Sequence, residues 1–204
     1  MTSVVLMGLV INNAIRKSNA RSKKAQDEFW KKERDSYRAP ERSTDDLDFV
    51  KVPDNLPIHI STDDPRIKEY QEILDNLTKK DIIDLSGISN TDIRMSYGNK
   101  NLEELSKADQ RYITLCRTLT GLSSSYIKAG YEGEARELLE FAVSIGCDIT
   151  ACWQDLGRLY LRSEDRDSLE KLIEKAEALE DGVVQKREIL SSLKEIQTLM
   201  DIVA

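Results

Sequence analysis

The side chains able to do chemistry are few, and their spacing suits little of it. His59 is the only histidine among 204 residues. It lies between Pro57 and Asp63, with no serine or cysteine spaced beside it as a nucleophile for it to activate. Cys116, Cys147 and Cys152 form an odd set without CxxC spacing, so neither a zinc finger nor a dithiol motif is indicated. They read as reduced thiols packed like small apolar residues. Asp45-Asp46 and Asp63-Asp64 are adjacent acids in turn-like stretches, where solvation explains them better than a metal does. No glycine-rich phosphate loop, HExxH or calcium-loop pattern occurs. The expectation is a non-enzyme with no catalytic residue, no cofactor and no metal. The catalytic alternative would need the polar segment Ser86–Gly98 to converge in space with His59 or Asp63.

What remains is charge and shape. Residues 1–15 carry no charged side chain, 16–42 are net +5, and 43–204 are net −12, within an overall −7. An acidic body excludes broad nucleic-acid binding, which depends on neutralising phosphates. The 33% of charged residues, with only 9 Gly and 4 Pro, favours helices over a sandwich or barrel.

The uncharged start contains Val4, Val5, Leu6, Met7, Leu9, Val10 and Ile11, followed at once by Arg16 and Lys17. A helix over this stretch reaches only about two-thirds of the roughly 30 Å of hydrocarbon. No bases precede the run and no A-x-A-like site follows it, so a secretory signal fits poorly. The leading expectation is a membrane anchor, with Arg16 and Lys17 snorkelling to the interface. The basic flank then leaves the body in the cytoplasm. A buried or disordered start, and hence a soluble cytoplasmic protein, is the alternative.

Downstream, 16–42 reads as a polar basic helix or stalk, with Phe29, Trp30 and Tyr37 its only large apolar groups. Residues 43–65 read as an extended linker, since Pro53 and Pro57 remove donors and push their predecessors toward extended backbone. Within it, Ile58 and Ile60 suggest one face laid against the body. Pro65 follows Asp64 as a helix start, and Ile67, Tyr70, Leu74 and Leu77 recur at helical spacing. That helix could extend through Ile82, Ile83 and Leu85. Residues 86–98 read as a polar loop, and Asn101 as the cap of a helix over 101–111. Together 66–115 form the helical front of the body.

The strongest pattern is a repeat. Leu119, Leu122, Tyr126, Ala135, Leu139 and Ala142 are matched thirty-four residues later by Trp153, Leu156, Tyr160, Leu169, Ile173 and Ala176. Trp153-x-x-Leu156-Gly157-x-x-Tyr160 carries the rings and small residue that close helix packing needs. Spacing and residue types resemble the tetratricopeptide repeat, a helix–turn–helix unit of this period. The copies are 116–149 and 150–183, with a capping helix over 184–204. Leu119 and Ser123 depart from the family's Trp and Gly, and neither copy ends in its Pro.

The resemblance implies an all-α fold: a short tetratricopeptide-like solenoid of helix hairpins and a capping helix, preceded by a long N-terminal helix and an extended linker. It also implies a groove lined by the first helix of each repeat. By position that groove holds Arg117, Thr120, Ser124 and Lys128, then Ala151, Gln154, Arg158, Leu161 and Arg162. Four of these are basic on an acidic body, which suits a protein or peptide partner bearing carboxylates. The competing reading pairs these bases with nearby Glu132, Glu134, Asp155 or Glu164. The expected function is a membrane-tethered adaptor facing the cytoplasm.

Overall fold

A computed structural model describes residues 19, 21–180 and 182–203. The expected anchor, Val4, Val5, Leu6, Met7, Leu9, Val10 and Ile11, lies outside them. The protein is all-α: among the described residues there are eight helices and no strand. None of these helices is long and apolar enough to cross a membrane. The chain divides into two compact units, one formed by the chain up to Leu47 with Leu85–Lys107, the other by Asp48–Asp84 with the chain from Ala108.

In the first unit, helix α1 (described over 21–36) meets α3 (Asn90–Tyr97). The sequence suggests a solvated stalk here, yet one face of α1 is engaged. Arg94 is buried; its Nε donates to Ser36 Oγ at 3.0 Å and its guanidinium pairs with Glu33. Thr91 donates to Glu33, Lys32 lies 2.5 Å from Asp92, and the Tyr37 ring sits 4.3 Å from the Arg94 guanidinium carbon. A helix polar nearly all round can thus pack, provided its polar groups find partners. The expected polar loop 86–98 is corrected in the same place, because it contains α3. Ser89 Oγ accepts the Asp92 N–H, and Gly98, at φ +89°, ends the helix.

In the second unit, α2 (Pro65–Leu77) is capped by Asp64, whose carboxylate accepts the N–H groups of Arg66 and Ile67. It stops at Leu77, and the expected extension through Ile82, Ile83 and Leu85 does not form. Instead the Ile82 carbonyl accepts the Val50 N–H at 2.8 Å. The supposed linker is correspondingly part of the core. Ile58 is buried, and Val50, Val52, Leu56 and Ile60 pack on the same cluster.

Helix α4 runs unbroken from Leu102 to Ala129. The expected separation of a 101–111 helix from a helix beginning near 116 is therefore corrected. No Gly or Pro interrupts 102–120, and Leu105, Ala108, Tyr112, Leu115, Leu119, Leu122 and Tyr126 form one buried stripe. Asn101 immediately precedes α4, and its side-chain amide donates to the carbonyls of Arg42 and Tyr97.

After α4 come α5 (Glu132–Ser144), α6 (Thr150–Arg162), α7 (Arg166–Glu177) and α8 (Lys186–Val203). α6 packs on α5, α7 and α8, and α7 packs on α8. The turns that begin α5 and α7 repeat a local geometry. Gly130 (φ +87°) and Glu164 (φ +55°) both take left-handed backbone, thirty-four residues apart. Each is followed by an N–H reaching back five residues, Tyr131 to the Tyr126 carbonyl and Asp165 to the Tyr160 carbonyl, both at 2.9 Å. Gly157 lets α6 approach α8 closely; a Cβ there would stand 2.9 Å from Leu193 and 3.1 Å from Ile196.

Candidate partner-binding face

On α4, Arg117, Ser124 and Lys128 stand at i, i+7 and i+11, which places them along one side of the helix. Ala151, Arg158 and Arg162 repeat that spacing on α6. Arg117, Lys128, Ala151, Arg158 and Arg162 are exposed, and Ser124 and Leu161 are half-buried. These are the expected positions that reach solvent.

Two others already have partners within the protein. Thr120 is buried, and its hydroxyl donates to the Cys116 carbonyl one turn back. Its matched position, Gln154, is half-buried and its amide donates 2.8 Å to Ser192 on α8. Thr120 is thus withdrawn from solvent, while Gln154, half-buried like Ser124, is engaged by Ser192.

The bases differ in their company. Arg158 lies 3.2 Å from Asp155 on its own helix, and Arg162 pairs with Glu132 from the first turn of α5. Both arginines are about half exposed (53% and 50%), where such pairs contribute only about 0–1 kcal/mol. An incoming carboxylate can therefore replace Glu132, itself 46% exposed, at small cost, whereas Asp155 is only 20% exposed. Arg117 and Lys128 have no ion pair with any described residue.

The groups considered for catalysis are separately occupied. His59 Nε2 is 2.9 Å from Asp75, both largely in water, and Asp63 lies 3.4 Å from Lys68. His59 and Asp63 belong to the second unit, and 86–98 to the first. All three cysteines are buried and free of disulfides. Hydrogen bonding to Cys147 and burial push the thiols of Cys116 and Cys152 up, which keeps them protonated. Among the described residues, no group of three or more His, Cys, Asp or Glu could hold a metal.

One feature of the surface escaped the sequence. A cleft of about 490 Å³ opens between α5, α6 and α7, with Val143, Leu156 and Leu172 among its lining residues beside Glu140, Lys171 and Lys175. Tyr160 lines it too, its hydroxyl donating 2.9 Å to Glu140 while the Arg136 guanidinium lies 4.7 Å from its ring. Val143, Leu156 and Leu172 fall on three different helices, and nothing in their spacing along the chain announces a shared wall.

Comparison with protein-family models, with curated proteins and with solved structures finds no match to this chain.

Proposed function

We propose that this chain is a non-catalytic protein-interaction module, a short tetratricopeptide-like stack tethered at a membrane through residues 4–11 with its body on the cytoplasmic side. Support for the repeat reading comes from the local geometry. Each of the six residue pairs matched at thirty-four positions is buried, and left-handed turns at Gly130 and Glu164 recur at the same interval.

The observation that carries the binding reading is the set of solvent-facing bases on the repeated i, i+7, i+11 lines of α4 and α6: Arg117 and Lys128 on the first, Arg158 and Arg162 on the second, with Lys128 and Arg162 matched at thirty-four residues. They stand out on a body of net charge −12. An acidic segment of a protein partner, extended or helical, would satisfy them through charge-assisted hydrogen bonds, worth about twice neutral ones. Arg117 and Lys128 offer donors that no intramolecular carboxylate occupies among the described residues.

The experiment is cross-linked capture from detergent-solubilised membranes, comparing the wild type with Arg117→Glu/Lys128→Glu and with Arg158→Glu/Arg162→Glu. A partner cross-linked to α4 and α6 in the wild type and lost from both variants is the expected result. Equal recovery by all three sinks the acidic-partner reading. Fractionation with and without residues 1–15 tests the tether, which fails if both forms stay out of the membrane pellet.

A further inference from the structure

We propose that the outer face of α1 is a docking surface for an anionic membrane leaflet. This deepens the tethering reading above and rests on it. α3 covers one side of α1 through Lys32, Glu33 and Ser36. Lys23, Lys24, Asp27, Trp30, Lys31 and Arg34 follow i, i+1, i+4, i+7, i+8 and i+11 spacing, which lines another side of the helix. All six are exposed, and four bases face one acid. Lys24 meets Glu28 at 3.8 Å with both side chains mostly in water, while Lys23, Lys31 and Arg34 have no ion pair with a described residue.

Trp30 stands among these bases, and Phe29 stands next to it around the helix, on the side of Glu33 and Ser36. Phe29 is 56% exposed and Trp30 50%, and they meet edge to face with centroids 5.2 Å apart. Exposed adjacent aromatic rings are poorly explained by a helix that only needs solubility. An exposed indole on a lysine-rich face is what a helix lying at headgroup level presents, the Trp30 ring entering the acyl boundary and the ammonium groups meeting lipid phosphates. Position selects the membrane over other anionic surfaces. The apolar run ends at Ile11, and the nine residues between it and Arg21 span at most about 30 Å. An inserted run therefore keeps α1 at the leaflet, where each base adds attraction to anionic lipid.

The test uses the full chain with vesicles of phosphatidylcholine alone and of phosphatidylcholine with phosphatidylserine. Trp153 is 1% exposed, so quenching by brominated acyl chains reports Trp30. Loss of the quenchable signal in Trp30→Phe assigns it. The expected result is a blue shift and quenching on anionic vesicles, lost at high salt and in Lys23→Glu/Lys24→Glu/Lys31→Glu/Arg34→Glu. Retention of unaltered helical circular dichroism verifies that this variant is folded. Flotation with both kinds of vesicle while Trp30 stays unquenched overturns the proposal and leaves the tether standing. Flotation with neither overturns both. Equal quenching on both lipids overturns recognition of anionic charge, and a blue shift without lipid assigns the face to self-association instead.

Discussion

Replacing Tyr126 by Phe isolates one oxygen atom on which the packing of the extended segment depends. The Tyr126 hydroxyl donates to the Ile58 carbonyl at 2.6 Å and accepts from the Gln71 amide at 3.3 Å, with the whole residue excluded from water. Burial pushes its phenol pKa up, so it is a neutral donor throughout the ordinary range. The Phe variant keeps the ring and therefore nearly all the apolar burial. What it loses is the donor to Ile58; Gln71 keeps the Ile60 carbonyl at 3.3 Å. One net hydrogen bond contributes about 1 kcal/mol, and a carbonyl left buried without a donor costs about 1–3 kcal/mol. The two descriptions overlap, so the expected destabilisation is about 2 kcal/mol. For a chain of this size that lowers Tm by roughly 4–8 °C.

Urea unfolding followed by Trp153 emission measures the loss in the same unit, with the slope against urea unchanged if the native fold is intact. Tyr160→Phe is the matched control. Its hydroxyl donates to Glu140, whose side chain is 41% exposed and can turn to water, so its loss should stay below about 1 kcal/mol. A Tyr126→Phe effect below about 0.5 kcal/mol, or one no larger than that of Tyr160→Phe, would refute the claim that this hydroxyl holds residues 58–60 against α2 and α4.

Two more outcomes follow from the turns. Glu164 holds a left-handed backbone that costs a non-glycine residue about 1 kcal/mol, while Gly130 fills the equivalent turn freely; Glu164→Gly should stabilise by about 0.5–1 kcal/mol in the same urea titration. Asp165 caps α7, and hydrogen bonding from Ser168, with Arg136 beside it, holds its carboxyl below the ordinary value of about 3.9. A lowered native pKa means stability fully present above about pH 4 and lost as the pH falls through the lower native value. Asp165→Asn should flatten that acid limb, and an unchanged limb would show that other carboxylates carry it.

The helical character and the buried positions of the second half were legible in the residues themselves. Leu119, Tyr126, Trp153 and Tyr160 recur at intervals that leave one face apolar, and burying that face is the main favourable term available to the chain. The basic positions Arg117, Lys128, Arg158 and Arg162 were assigned to the first helix of each repeat by the resemblance to the tetratricopeptide unit, and they are exposed.

Other features depended on distant partners. Whether 101–111 ends or continues into the next helix is not decided by propensity, since both states use the same good helix formers. Continuity followed once the whole stripe from Leu105 to Tyr126 had something to bury against. Thr120 and Gln154 were assigned to the groove by position in the resemblance, and position in a repeat says nothing about which neighbour a side chain meets.

Sequence by itself therefore determined the helical character of the second half and which of its faces are apolar, because both are set by residues within a few positions of one another. It did not place α3 or the unbroken α4. Tertiary structure alone decided that α1 pairs with α3 through Arg94 and Glu33, residues 61 positions apart. It alone decided that the segment whose Ile58 and Ile60 pointed to contact with the body is held there by Tyr126, 68 positions from Ile58, and that Val50, Val52 and Leu56 join them. A polar side chain can be satisfied by water or by protein at nearly equal free energy, and only the folded geometry selects between them.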